Sequence, residues 1–139
     1  MAGSTQFIRQ AAAIPIKDGQ VCLVTSRSGR HWVIPKGMLE PGLTPAEIAL
    51  QEAWEEAGLL GLLTKAVGTY RYEKYGGTCL VTVFPMQVHE VRDDWPEADV
   101  RRRIWLDPDD AVDWVEEEGL REILRQAFLN EAYSESGEW

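Results

Sequence analysis

Three carboxylates, Glu52, Glu55 and Glu56, stand at i, i+3 and i+4 in a stretch whose neighbours read as helical. At about 100° per residue they fall within one arc of a helix and repel one another there. Divalent cations relieve that repulsion, and hard carboxylate oxygens on a rigid helix suit Mg2+ or Mn2+. The bland alternative is a solvated acidic face, which a lone ExxEE does not exclude. The surroundings favour a cation site: a Pro35-Lys36-Gly37 loop precedes the helix, small alanines lie behind it, and Gly58 ends it.

The element that must carry these glutamates is well marked. Thr44 can cap it, Pro45 suits the first helical position, and Glu47 completes a capping box. Ala46, Ala49, Leu50, Ala53 and Ala57 gather on one face, a narrow stripe suited to close packing on a sheet. Before this helix, Phe7 to Ile16 and Val21 to Thr25 read as a hairpin turning at Lys17-Asp18-Gly19, and His31 to Pro35 as a short strand followed by a loop from Met38 to Leu43. After it come strand-like segments at about Leu62 to Tyr72 and Thr78 to Val88, split by a turn around Tyr75-Gly76-Gly77. Pro85 argues for a bulge or an edge in the second. Arg101 to Leu106 reads as a further strand, Asp107-Pro108-Asp109-Asp110 as the cap of a helix to about Val115, and Leu120, Ile123, Leu124, Ala127 and Phe128 as one face of a last helix. Strands with one helix inside the series and helices at the end suggest an α/β sandwich with a mixed sheet.

Composition narrows the partners. The 139 residues suit one domain over 1–133, with 134–139 expected as a disordered tail. No apolar run reaches the roughly 20 residues needed to cross a bilayer, and the first residues lack the features of a secretion signal, so a soluble, cytoplasmic protein without a membrane partner is expected. Cys22 and Cys79 sit inside apolar stretches and read as small buried hydrophobes. The net charge of -9 belongs to the C-terminal part: from Asp107 onward there are 11 acidic and 2 basic residues, against 12 and 12 before it. Such a segment repels nucleic acid. A small anion bound through cations and a few basic side chains is not disfavoured.

The stretch from Gly37 to Leu59, GMLEPGLTPAEIALQEAWEEAGL, resembles the Nudix box, G-x5-E-x7-R-E-U-x-E-E-x-G-U, in which U is a bulky aliphatic residue. Gly37, Glu52, Glu55, Glu56, Gly58 and Leu59 match, and Ala53 stands at the aliphatic place. Leu43 stands where the pattern has Glu and Gln51 where it has Arg; as a neutral pair they could replace the charged one without stranding a charge. The resemblance implies the Nudix α/β/α sandwich with a mixed sheet, and a phosphoanhydride hydrolase using Mg2+ or Mn2+. It makes Glu52 and Glu56 metal ligands together with the Lys36 carbonyl. Glu55 would bind a second metal or act as the base, with Glu52 the other candidate for that role.

Beyond the box, Thr25-Ser26-Arg27 before Trp32-Val33-Ile34-Pro35, and Asp94-Trp95-Pro96-Glu97 before Arg101-Arg102-Arg103-Ile104-Trp105, are similar to the diphosphoinositol polyphosphate phosphohydrolase branch. That branch implies a small polyphosphorylated substrate, a diphosphoinositol polyphosphate or a diadenosine polyphosphate; the sequence leaves monomer or homodimer open. Arg27 and Lys36 are the foremost substrate-binding candidates, followed by Arg9, Ser26, Arg101 and Arg103, because Arg offers bidentate grips on phosphate. Alternation along a strand should turn Arg102 away from its neighbours. Trp32, Trp95 and Trp105 read as packing residues, and His31 and His89 as incidental. The rival readings are a nucleoside triphosphate or nucleotide-sugar hydrolase, and a Nudix domain that binds a polyphosphate without cutting it.

Overall fold

The computed structural model describes residues 7–137, with side chains described as far as residue 128. Its elements run β1 (Phe7–Lys17), β2 (Gln20–Thr25), β3 (Trp32–Val33), β4 (Lys36–Met38), α1 (Pro45–Ala57), β5 (Leu59–Leu63), β6 (Gly68–Lys74), β7 (Gly77–Val91), β8 (Arg103–Leu106), α2 (Pro108–Trp114) and α3 (Glu118–Gly137). The strands form one mixed sheet. Its main path is β3-β2-β1-β7-β5, with β4 on β1, β6 on β7 and β8 on β2. Only β1 and β7 pair in parallel, from Phe7↔Thr78 to Ile16↔Gln87; the other pairs are antiparallel.

Successive residues of a strand point to opposite faces, so the apolar run of β1 serves two cores at once. Ala11 and Ala13 join Cys22, Val24, Ile48, Ala49, Ala53 and Ala57 on the α1 side. Ala12 and Ile14 join Val21, Leu23, Val83, Ala111, Leu120 and Leu124 on the α2 and α3 side. The sheet thus has helices on both faces, the expected three-layer arrangement. Alanine faces alanine between β1 and α1, which brings the helix close to the sheet. Ile48 is buried there as well, while Ala46 and Leu50 are only partly covered.

Several boundaries differ from the sequence-based expectation. Lys36–Met38, read as turn and loop, is a strand because Gln10, Ala11 and Ala12 offer it an edge. The segment expected as one strand over 62–72 is two, β5 and β6, which pair with successive parts of β7. Pro85 falls between those two pairings, where its carbonyl accepts from Thr64 N at 2.9 Å, so it interrupts neither ladder. The irregularity in register lies at Leu60/Gly61 instead. No Gly or Pro interrupts the chain between Leu120 and Ser136, and α3 carries the backbone to Gly137, into the segment expected to be a disordered tail; residues 138–139 lie outside those described. Among the described residues no helix is long and apolar enough to cross a membrane.

Candidate active site

The helix α1 is fixed at both ends by its own sequence. Thr44 accepts from Glu47 N at 3.1 Å and Glu47 Oε1 accepts from Thr44 N at 2.8 Å, the reciprocal capping box. Gly58 leaves the helix in the left-handed region at φ 69°, ψ 32°, where its N–H closes the last turn on Ala53 and Trp54. This presents Glu52, Glu55 and Glu56 to a cleft of about 610 Å³.

Glu56 is 6% exposed and Glu52 half-buried, close enough to share a hydrogen bond. Burial, then the hydrogen bond and charge of Glu56, push the Glu52 carboxyl up to about 8. Burial also raises Glu56, and the Arg101 guanidinium opposes that rise. Burial and mutual proximity thus make it costly for both carboxylates to be charged at once. The backbone makes room for Glu52 at one point: a Cβ on Gly37 would stand 2.6 Å from Glu52 Cδ, 2.7 Å from Cγ and 2.8 Å from Oε2.

These features fit a hard divalent cation. No three His, Cys, Asp or Glu side chains among the described residues stand close enough to enclose one unaided. Glu52 and Glu56 would supply two oxygens to such an ion, and Mg2+ ordinarily keeps water and substrate oxygens in its remaining positions. The wall is also too acidic to hold a phosphate without help: Glu52, Glu55, Glu56, Glu73, Glu97, Glu116 and Glu117 line it against Arg27, Lys36, Lys74 and Arg101.

Of the residues singled out in the sequence, the cleft gathers Ser26, Arg27, Lys36, Glu52, Glu55, Glu56 and Arg101. Arg27 is exposed at the rim. Ser26 holds its own turn together, its Oγ accepting from His31 N at 3.3 Å and bonding Ser28 Oγ at 3.1 Å. Lys36 Nζ lies 5.3 Å from the centre of the Tyr72 ring; burial lowers its pKa, while Glu117 and Glu56 hold it up.

Two expectations need correction. Arg9 is exposed on β1 and is not part of the cleft lining. Arg103 is also absent from it: its Nη1 donates to the Ala57 carbonyl at 2.7 Å and its guanidinium lies 4.1 Å from the centre of the Trp95 ring. Arg102 does point away, exposed over Trp32 at 5.7 Å. Trp32, Trp95 and Trp105 all stay out of the cleft lining. His31, read as incidental, is part of that lining and its Nδ1 lies 2.6 Å from Glu116 Oε2.

Arg103 belongs to a clasp that finishes α1. The last carbonyls of a helix lack partners within it. Here Glu55 O accepts from Glu97 N at 3.0 Å, Glu56 O from Trp95 Nε1 at 3.0 Å, Ala57 O from Arg103 Nη1, and Gly58 O from Arg92 N at 2.9 Å. One segment, residues 92–103, thereby closes the end of the helix that carries the glutamates. The same segment delivers Glu97, which sequence reasoning did not single out as a site residue; its spacing of four from Arg101, with which it bonds at 2.8 Å, was the available signal. Gln10 and Tyr72 were also missed. Gln10 is the polar residue at the head of an apolar run, 5% exposed, and accepts from Tyr72 Oη at 2.6 Å on the cleft wall.

A family model described as NUDIX domain matches residues 7–127. Nudix hydrolase 4 of Arabidopsis thaliana is 34% identical over 113 residues, covering 80% of this chain and 54% of that protein. Diphosphoinositol polyphosphate phosphohydrolase 2 of Mus musculus is 31% identical over 112 residues, covering 76% of this chain and 62% of that protein. The chain spans 54% to 65% of the length of three Arabidopsis relatives, Nudix hydrolases 4, 16 and 21. In fold it is similar to the Ap4A hydrolase of C. elegans, with a TM-score of 0.70 at 22% identity over 89% of this chain and 99% of that one. It is likewise similar to a NUDIX hydrolase from Nitrosomonas europaea, with a TM-score of 0.74 at 22% identity over 90% of each chain.

Proposed function

Because the chain belongs to the Nudix family, we propose that it is a metal-dependent pyrophosphohydrolase cleaving a phosphoanhydride bond in diphosphoinositol polyphosphates or diadenosine polyphosphates. The observation that carries this reading is the convergence of Glu52 and Glu56, with Glu52 against the Gly37 backbone, in a cleft too acidic to take a phosphate without a cation. Glu52 and Glu56 would hold Mg2+ or Mn2+ with the Lys36 carbonyl, and Arg27, Ser26 and Lys36 would orient the substrate phosphates. When bound, the cation neutralises the diphosphate and acidifies an attacking water. Glu55, on the same face of α1, removes its proton, with Glu52 as the other candidate base. Leu43 packs partly buried against the α1 core, which suits a neutral residue at that place in the box.

Between the two substrates the charge of the cleft favours the diadenosine polyphosphate. An inositol ring crowded with phosphates needs many free cations. Of the four basic residues in the cleft, Arg101 is already bound to two carboxylates and Lys36 faces Glu117 and Glu56, which leaves Arg27 and Lys74. A linear chain of few phosphates asks for less. The name Ap4A hydrolase on the C. elegans protein points the same way, though the likeness to it is one of fold.

Incubation with Mg2+ or Mn2+ and a panel of dinucleoside polyphosphates, inositol pyrophosphates, nucleoside triphosphates and nucleotide sugars, with products read by mass spectrometry, tests the proposal. Turnover of diadenosine polyphosphates, lost in Glu55→Gln, is the expected result. Tight binding without turnover would select the non-catalytic reading. The proposal extends to a cytoplasmic monomer or homodimer. Relatives named mitochondrial or chloroplastic make cell fractionation the matching test.

A further inference from the structure

Arg101 was singled out in the sequence as a grip for substrate phosphate, and its surroundings argue for a different task. Its side chain is 8% exposed. All three guanidinium nitrogens face fixed oxygens: Nε donates to Glu97 Oε1 at 2.8 Å, Nη1 donates to the Thr25 carbonyl at 2.8 Å, and Nη2 lies 3.5 Å from Glu56 Oε2. One planar group thus ties the end of β2, the turn of residues 96–100 and the buried face of α1.

We infer that Arg101 is a positioning residue for the Glu56 carboxylate and not a contact for the substrate. Its charge is already matched by two carboxylates, so a phosphate would have to displace one of them. The turn it braces is anchored to α1 a second time, through Glu97 N and the Glu55 carbonyl at 3.0 Å. Without the guanidinium, Glu56 would share its pocket with Glu52 and Glu97, leaving Lys36 as the cation beside it. A buried carboxylate in that company turns away from its place or draws the turn with it. Lysine would not serve, because a single ammonium does not span three acceptors in a fixed plane.

This inference rests on the reading of Glu56 as a metal ligand, and the test separates the two. Mn2+ binding is measured by electron paramagnetic resonance on wild type and Arg101→Lys without substrate, and kcat and KM are then measured with diadenosine tetraphosphate. Loss of support to a metal ligand typically weakens metal binding about 10- to 100-fold. The expected result is a Kd for Mn2+ raised at least about tenfold and a kcat lowered in parallel, with KM for substrate at saturating metal changed less than about threefold. Arg101→Gln, which keeps a donor for the Thr25 carbonyl, takes its place with the same expectations if the lysine variant does not fold. Unchanged Mn2+ affinity with a KM raised tenfold or more would overturn the inference and return Arg101 to the substrate. A wild-type protein that binds no Mn2+ would overturn both this inference and the proposed function.

Discussion

Replacing Gly37 by alanine should damage the active site while sparing the fold. The added Cβ would stand 2.6 to 2.8 Å from three atoms of the Glu52 side chain, where ordinary contact begins at 3.4 Å. The glutamate must therefore retreat by roughly 0.6 to 0.8 Å, about the scale at which misplacement of a reacting group costs on the order of 100-fold in rate. Yielding is cheap for stability, because the crowded atoms belong to the outer part of a flexible, half-buried side chain, and an off-rotamer torsion costs about 0.5 to 1.5 kcal/mol. The two readouts should separate: a Tm lowered by no more than a few degrees, with Mn2+ affinity and kcat each down by one to two orders of magnitude. Calorimetry, metal titration and turnover of diadenosine tetraphosphate measure them. Turnover within about twofold of wild type would refute the argument, since it would mean that the Glu52 carboxylate need not lie against this loop.

Gly58→Ala makes the opposite prediction. Its Cβ would meet Arg103 Nη1 and the Trp95 side chain at 2.9 Å, at a residue with φ of 69°. The left-handed conformation alone costs an L residue about 1 to 2 kcal/mol, so denaturant unfolding should show a loss of at least that size. Glu55→Gln should lower kcat by about 10²- to 10⁴-fold if Glu55 is the base, and a fall of under tenfold would pass that role to Glu52. Arg27→Ala should raise KM about tenfold with little change in kcat, as one charge-assisted hydrogen bond to phosphate is lost. In the metal-free protein Glu52 titrates near 8 when folded and near 4.5 when unfolded. Between those values the folded state keeps a proton that the unfolded state has released, so the contribution of this group to stability is complete below about pH 4.5 and is lost as pH rises through 8. Melting curves without metal should show it, and the gain in Tm on adding Mg2+ should grow over the same range.

Local signals were legible in the sequence and non-local ones were not. The helix α1 could be placed from Thr44, Pro45, Glu47 and Gly58 because each acts within a turn or two of itself. The glutamate cluster followed from the helical period alone. Strand β4 escaped notice because three residues have no strand signal until β1 lies beside them. The contacts of Arg101 and Arg103 were hidden for a similar reason. An arginine near the end of a strand looks like a ligand for phosphate, and only the fold reveals that its partners are Thr25, Glu56 and Ala57. Gln10 and Tyr72 found each other across the sheet, 62 residues apart in sequence.

The clasp formed by residues 92–103 also makes the finish of the glutamate helix depend on chain that follows it by about a third of the sequence. The β1–β2 hairpin and α1 need only local contacts, whereas β1 meets β7 about seventy residues further along the chain. The clasp draws on chain about forty residues beyond the helix end it closes, 39 from Glu56 to Trp95 and 46 from Ala57 to Arg103. Without those partners the glutamate helix ends in unpaired carbonyls. A nascent chain that has not yet reached residue 92 would therefore carry its three glutamates on a helix whose end is unfinished.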